Sequence, residues 1–301
     1  MSSSRVQFSD ITTIHELNKD SSDEEKETDI DIIKPPPPEN RCTIVSCYYK
    51  SPAKHSTSEY DEWMANFLTT IENEMIIFCD EESYEKIMTL RKDFQEITFV
   101  YVLPLEETYC GNPHYKEVWM KDWQRDIEHS IHHPNLYNIW NEKSMFVYRI
   151  MQLNPFNTDF FCWCDIGCFR NKNDLHLFKN GWPSSTFLST AAKDKMYFLN
   201  ITPFEESDFE KQANGLSRSF EYDTRIGATI FLGHRFIFEK WVEYFYKYMN
   251  DYITKDYFAG KDQNIIATIY VLHQEIFKLI RPAANEGDPW FYLQRYFLKS
   301  E

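Results

Sequence analysis

Short continuous apolar runs alternate along this chain with stretches whose apolar residues recur every three or four positions. The runs CTIVSCYY (42–49), EMIIFCD (74–80) and ITFVYVLP (97–104) are each the length of a buried strand, and Pro104 stops the third. Between the first two, Tyr60, Trp63, Met64, Phe67, Leu68 and Ile71 fall on one helical face, and a shorter helix is predicted over Ser83 to Lys92. That βαβαβ order predicts an α/β fold, a Rossmann-like, mostly parallel sheet flanked by helices. Residues 105–137 carry neither period and read as a long functional loop or lid. A helix is predicted over 138–153, then strands over Phe160 to Asp165, 195–200 and 225–233. Two long helices are expected to close the chain. One places Phe238, Trp241, Val242, Phe245, Tyr248 and Tyr252 on a single face, and the other carries Ile265, Ile266, Ile269 and Ile276.

Composition narrows the function classes. A formal charge of −15 over 301 residues argues against a protein built to wrap nucleic acid or lie on an anionic membrane, both of which need a basic footprint. No apolar run is long enough to span a bilayer, and MSSSRVQFSD lacks the apolar core of a secretory signal, so a cytoplasmic protein without a transmembrane segment is expected. Residues 1–39 are acidic, poor in aromatics and end in the run Pro35 to Pro38, the composition of a disordered tail. A partner-docking segment regulated around Ser21 and Ser22 is the other reading of that tail. The seven cysteines sit largely in strand-like runs and read as buried reduced thiols.

The run FFCWCDIGCFR (160–170) holds one aspartate in an apolar strand. An ionised carboxylate is costly there unless it reaches the strand's end or meets a cation. Alternation puts Cys162 and Cys164 on one face and Phe161, Trp163 and Asp165 on the other. Zinc on Cys162, Cys164 and Cys168 is therefore a poor fit, with no companion CxxC. Gly167 supplies a turn just after Asp165, which places the carboxylate at the carboxyl end of a parallel strand, where α/β sheets bind ligands. Lys143 falls on the apolar face of its helix, as a snorkelling side chain or as a cation for a phosphate. Asp262, after Gly260, is placed as a helix N-cap, a role compatible with a carboxylate aimed at hydroxyls. His129, His132 and His133 read as a surface loop with no carboxylate at ligand spacing. Arg225 could face a diphosphate or a surface acid. The absence of G-x-x-x-x-G-K-S/T and G-x-G-x-x-G disfavours P-loop and dinucleotide-binding readings.

W-C-D-I-G followed by Phe169 and Arg170 resembles the W-x-D-x-G-x-x-R segment of the HtrL/YibB-like family, which is similar to GT-A glycosyltransferases. Asn138, Trp140 and Lys143, the run G-A-T-I-F-L-G (227–233), Trp241 and G-K-D-Q-N (260–264) follow the family's pattern in order. The resemblance implies a GT-A-like domain over residues 40–301 and transfer of a sugar from a nucleotide-diphosphate sugar, a UDP-sugar first, to a glycan or protein acceptor. A hexosyltransferase is the type implied. Expected catalytic residues are Asp165 and Asp262. Expected donor contacts are Ser46, Tyr48, Tyr49, Asp80, Lys143, Trp163, Asp165, Arg170, Gly227 and Gln263. The cofactor implied is a divalent cation, manganese or magnesium, on Asp165, with Gly167 standing at the second acidic position of the GT-A D-x-D. The rival readings are a non-catalytic GT-A-like module that binds a glycan or a protein, and a nucleotidyltransferase.

Overall fold

A computed structural model describes residues 40–51, 54–284 and 286–299; the acidic tail expected over 1–39 lies outside the described residues. The apolar runs pair as expected. Strands β1 (Cys42–Tyr48), β2 (Met75–Cys79), β3 (Thr98–Val102) and β4 (Phe160–Cys164) are mutually parallel, and their residues are almost all buried on both faces. Helix α1 (Thr57–Thr70) joins β1 to β2 and α2 (Glu81–Leu90) leads from β2 toward β3.

Two helices, not one long loop, fill the stretch before β4. Within the irregular stretch expected over 105–137, residues Pro113–Arg125 form α3, and α4 begins at Pro134 and runs to Leu153. Asn112 caps α3 through its side chain and a proline follows, the ordinary start of a helix. The chain continues through α5 (Ser185–Thr190), β5 (Met196–Asn200), β6 (Ile226–His234), α6 (Arg235–Thr254) and α7 (Asp262–Leu272). The last predicted helix stops at Leu272. Ile276 lies in a short turn that leads to β7 (Phe277–Ile280), and the described chain closes with the single turn α8 (Leu293–Tyr296).

The seven strands lie in the order β3-β2-β1-β4-β6-β5-β7, with β6 antiparallel to both neighbours and β5 parallel to β7. Period-two alternation splits the core in two. Val45, Phe78, Phe161 and Trp163 pack under α3, α4, α6 and α7, while Ile44, Ile77, Cys162 and Cys164 pack under α1, α2, α5 and α8. All seven cysteines are buried and free. The order places the site: β1 to β3 wind outward one way, and the chain then crosses to lay β4 on the other side of β1. The carboxyl ends of β1 and β4 thus form a topological switch point, the crevice where such sheets bind ligands.

Candidate active site

Asp165 is the residue after β4, and it satisfies both alternatives posed by its apolar surroundings. It stands at the strand's end with 31% of its side chain exposed, and it meets a cation. Lys143 Nζ lies 3.1 Å from its Oδ1 and 3.3 Å from its Oδ2, and Trp163 Nε1 donates to Oδ1 at 2.6 Å. Lys143 comes from the buried face of α4, its side chain only 4% exposed. The same ammonium donates to Ala228 O at 3.0 Å and lies 3.4 Å from Asp262 Oδ2. Burial alone would lower the lysine pKa, but Asp165 and Asp262 outweigh it and hold the group above its ordinary value. The donors of the Lys143 ammonium are thus turned to protein oxygens of Asp165, Ala228 and Asp262.

Asp262 is the first residue of α7, not its cap. Lys261 occupies the cap position and makes no side-chain capping bond. Free amides and the helix dipole favour a carboxylate in that first turn. Its Oδ1 accepts from the Gln263 amide at 2.8 Å, while Oδ2 has the Lys143 ammonium at 3.4 Å and no other polar partner. Burial raises its pKa to about 6; Lys143 opposes that rise and Asp165 reinforces it. The turn leading into α7 is held from two sides: Asn141 Nδ2 donates to Ala259 O at 3.1 Å, and the Ala259 amide donates to Asp122 Oδ2 at 2.8 Å. The helix missing from the sequence reading, α3, thus supplies Asp122, one of the clamps that aim Asp262.

Two adjoining recesses open at this edge and meet at Asp165. The first, of about 380 Å³, is lined by Tyr48, Tyr49, Tyr60, Trp140 and Trp163. The second, of about 450 Å³, is lined by Lys143, Asp262, Gln263, Trp140 and Trp290. Together they are the size of a cofactor or nucleotide site. Arg170 borders both. Its Nε donates to Gly167 O at 3.1 Å, and its guanidinium packs against Trp63 (4.0 Å) and Phe291 (4.6 Å). Among the described residues no carboxylate lies within ion-pair distance of it, so its terminal nitrogens remain for a ligand.

Of the donor contacts expected, Tyr48, Tyr49, Lys143, Trp163, Asp165, Arg170 and Gln263 line this crevice, and three do not. Ser46 is fully buried, and its Oγ ties β1 to β4 by donating to Cys164 O at 2.7 Å. Asp80 is the N-cap of α2 and also accepts from the Lys50 amide. Gly227 faces packing: a Cβ there would stand 2.8 Å from Ile201 and 3.3 Å from Trp290, so the glycine lets Trp290 approach the strand. Arg225 pairs with the buried Asp208, answering the alternative left open for it.

Sequence reasoning missed the wall of the second recess. His132 Nδ1 is 2.8 Å from Asp126 Oδ2, so the histidine cluster does have a carboxylate beside it. Asp126, Glu128 and His132 bring ligand atoms within 4.8 Å of one another, the one such group among the described residues. Lys261 Nζ already stands there, 2.6 Å from Glu128 and 3.2 Å from Asp126. Burial would raise the Asp126 pKa, but hydrogen bonds from His132, the Glu128 amide and Tyr137 outweigh it and hold the carboxyl at about 2.

The divalent cation expected on Asp165 meets a donor set that does not fit it. The second carboxylate in reach, Asp262, lies on the same ammonium, and Lys143 Nζ stands where a cation bridging the two would be held.

The sequence model of a family described as "Bacterial protein of unknown function (HtrL_YibB)" matches residues 48–299. No curated protein matches the chain. Among solved structures, the chain is similar to mouse xyloside xylosyltransferase 1 in its apo form (10% identity, 79% of this chain and 84% of that one, TM-score 0.43). It is also similar to core-mannan synthase A of Aspergillus fumigatus in an Mn/GDP form (12% identity, 80% and 72%, TM-score 0.42). A third similarity is to 4-diphosphocytidyl-2C-methyl-D-erythritol synthase of Anaerococcus prevotii (8% identity, 86% and 99%, TM-score 0.39). The family match spans most of the chain, and the chain belongs to the HtrL/YibB family.

Proposed function

We propose that this HtrL/YibB family member is a glycosyltransferase of GT-A type that moves a sugar, a hexose first, from a nucleotide-diphosphate sugar, a UDP-sugar first, to a glycan or protein acceptor. One observation carries the reading. Asp165 stands at the switch point where two recesses meet, with the guanidinium of Arg170 bordering both and the Lys143 and Asp262 pair lining the second.

In such a transfer the bond from the anomeric carbon to the diphosphate oxygen breaks, the sugar acquires oxocarbenium character and negative charge gathers on the departing diphosphate. Arg170 is the group available to that charge, and its packing on two rings keeps the fork oriented. The aromatic first recess suits the nucleoside, whose base can stack on tyrosine or tryptophan faces. Asp165, partly exposed at the junction, accepts hydrogen bonds from sugar hydroxyls. The acceptor enters the second recess and its hydroxyl loses a proton to Asp262 Oδ2, whose one polar neighbour in the protein is the Lys143 ammonium. Seven buried free thiols accord with a reducing, cytoplasmic setting, and no helix of the described residues is long and apolar enough to cross a membrane.

A thermal-shift panel of nucleotide sugars and nucleoside diphosphates tests the reading. A ligand at a hundred times its Kd adds about 2.7 kcal/mol, which raises the Tm of a chain this size by roughly 4 °C. The shift is expected with at least one nucleotide base and is expected to vanish in Arg170→Ala, whose own melting temperature stays close to wild type. A panel without any shift would refute the proposal.

A further inference from the structure

In this crevice each carboxylate cluster is closed by a lysine from the chain itself: Lys143 between Asp165 and Asp262, and Lys261 between Asp126 and Glu128. The first of these carries a consequence for cofactor use. Lys143 lies on the packed face of a twenty-residue helix, is stacked beneath the Trp163 ring at 5.9 Å and contacts protein oxygen on three sides. A side chain so confined does not swing out to admit an ion. A doubly charged ion bound to Asp165 would stand close to an ammonium that is barely screened by solvent, and the two would repel.

We infer that Lys143 is the resident cation of the Asp165 and Asp262 pair and takes the place of a divalent metal, so that a nucleoside diphosphate binds here without one, its charge met by Arg170. The inference about ligand binding rests on the nucleotide-sugar reading above. The inference about the lysine does not. If an ammonium fills the space between two carboxylates, removing its charge while keeping its length leaves a pair of acids converging on an empty point, the donor set of a divalent-cation site.

Lys143→Met is the variant that asks the question, with manganese chloride alone as the first probe, titrated by calorimetry and followed by the manganese electron-spin signal. Wild type is expected to bind manganese at this site at least tenfold more weakly than Lys143→Met, and Asp262→Asn added to Lys143→Met is expected to abolish the gain. The second probe is the set of UDP, GDP, CDP and ADP, each titrated into wild type with manganese and with EDTA. The binding diphosphate is expected to keep its Kd within twofold between the two conditions. A wild type whose diphosphate affinity rises tenfold or more with manganese, or a folded Lys143→Met that binds manganese no better than wild type, would overturn the inference. Should Lys143→Met fail to fold, the wild-type comparison with and without metal decides. If none of the four diphosphates binds in either condition, the nucleotide-sugar reading fails, and the manganese titrations alone judge the lysine.

Discussion

Asp262→Asn is expected to lower the turnover of sugar transfer by two to four orders of magnitude, the usual worth of a positioned general base, while leaving nucleoside diphosphate affinity within a fewfold of wild type. The amide keeps the size of the side chain and its place in the first turn of α7, and Lys143 keeps Asp165 and Ala228 O as partners. What disappears is the oxygen able to take the acceptor's proton. Titration gives this prediction a second edge. The groups facing Asp262 are Lys143 from α4 and Asp165 after β4, and with burial they place its pKa at about 6. The base is thus protonated below that value and free above it, so wild-type transfer rises with pH through about 6. In Asp262→Asn the residual rate has no such limb. The sign for stability runs the other way. A carboxyl that holds its proton more tightly folded than unfolded favours the folded state at low pH and gives up that contribution as pH rises from about 4 to about 6. Initial rates and melting temperatures across pH 4.5 to 8 check both directions; full turnover in the amide variant would remove Asp262 from the mechanism.

The second large effect is one of stability. Asp165→Ala and Asp262→Ala, taken singly, each leave Lys143 with one carboxylate and the Ala228 carbonyl, and moderate losses are expected. Together they strand an ammonium that is almost wholly buried. Breaking a buried pair in this way costs about 3 to 5 kcal/mol, or a Tm lower by roughly 5 to 8 °C for a chain of this size. The loss in the double variant is expected to exceed the sum of the singles, the mark of two groups sharing one partner. Lys143→Met added to the double variant is expected to recover most of it. The double variant should also gain stability as pH rises toward 9. A lysine whose pKa falls on folding releases its proton in the native state first, so the unfolded chain binds more protons there. Additive losses, or no recovery by Lys143→Met, would show that the ammonium is not held by this pair.

The chain's own order of residues determined a good deal of this protein. Apolar runs of strand length located six of the seven strands, because a strand buried on both faces has to be apolar throughout. Alternation along FFCWCDIG put Asp165 on the face of Trp163 and just beyond the strand's end, and helical periodicity put Lys143 on a buried face. Tertiary structure decided the rest, for identifiable physical reasons. Parallel and antiparallel partners bury a strand equally well, so the run 226–234 gave no sign that β6 runs against its neighbours. The four-residue β7 is too short for its period to stand out, and half of its positions are not buried. Helix α3 offers water most of its surface, which blurs its apolar period; its Asn112 and Pro113 were the readable mark. Ser46, Asp80 and Gly227 have the right types at the right end of the sheet, yet their direction is set by the neighbouring strand, a helix cap and a packed tryptophan, none of which is local in sequence. The pairing of Lys143 with both Asp165 and Asp262 is the deepest case. Periodicity tells which way a side chain points from its own element, but what it meets there depends on three segments brought together by the sheet order, and on that meeting the charge of the site depends.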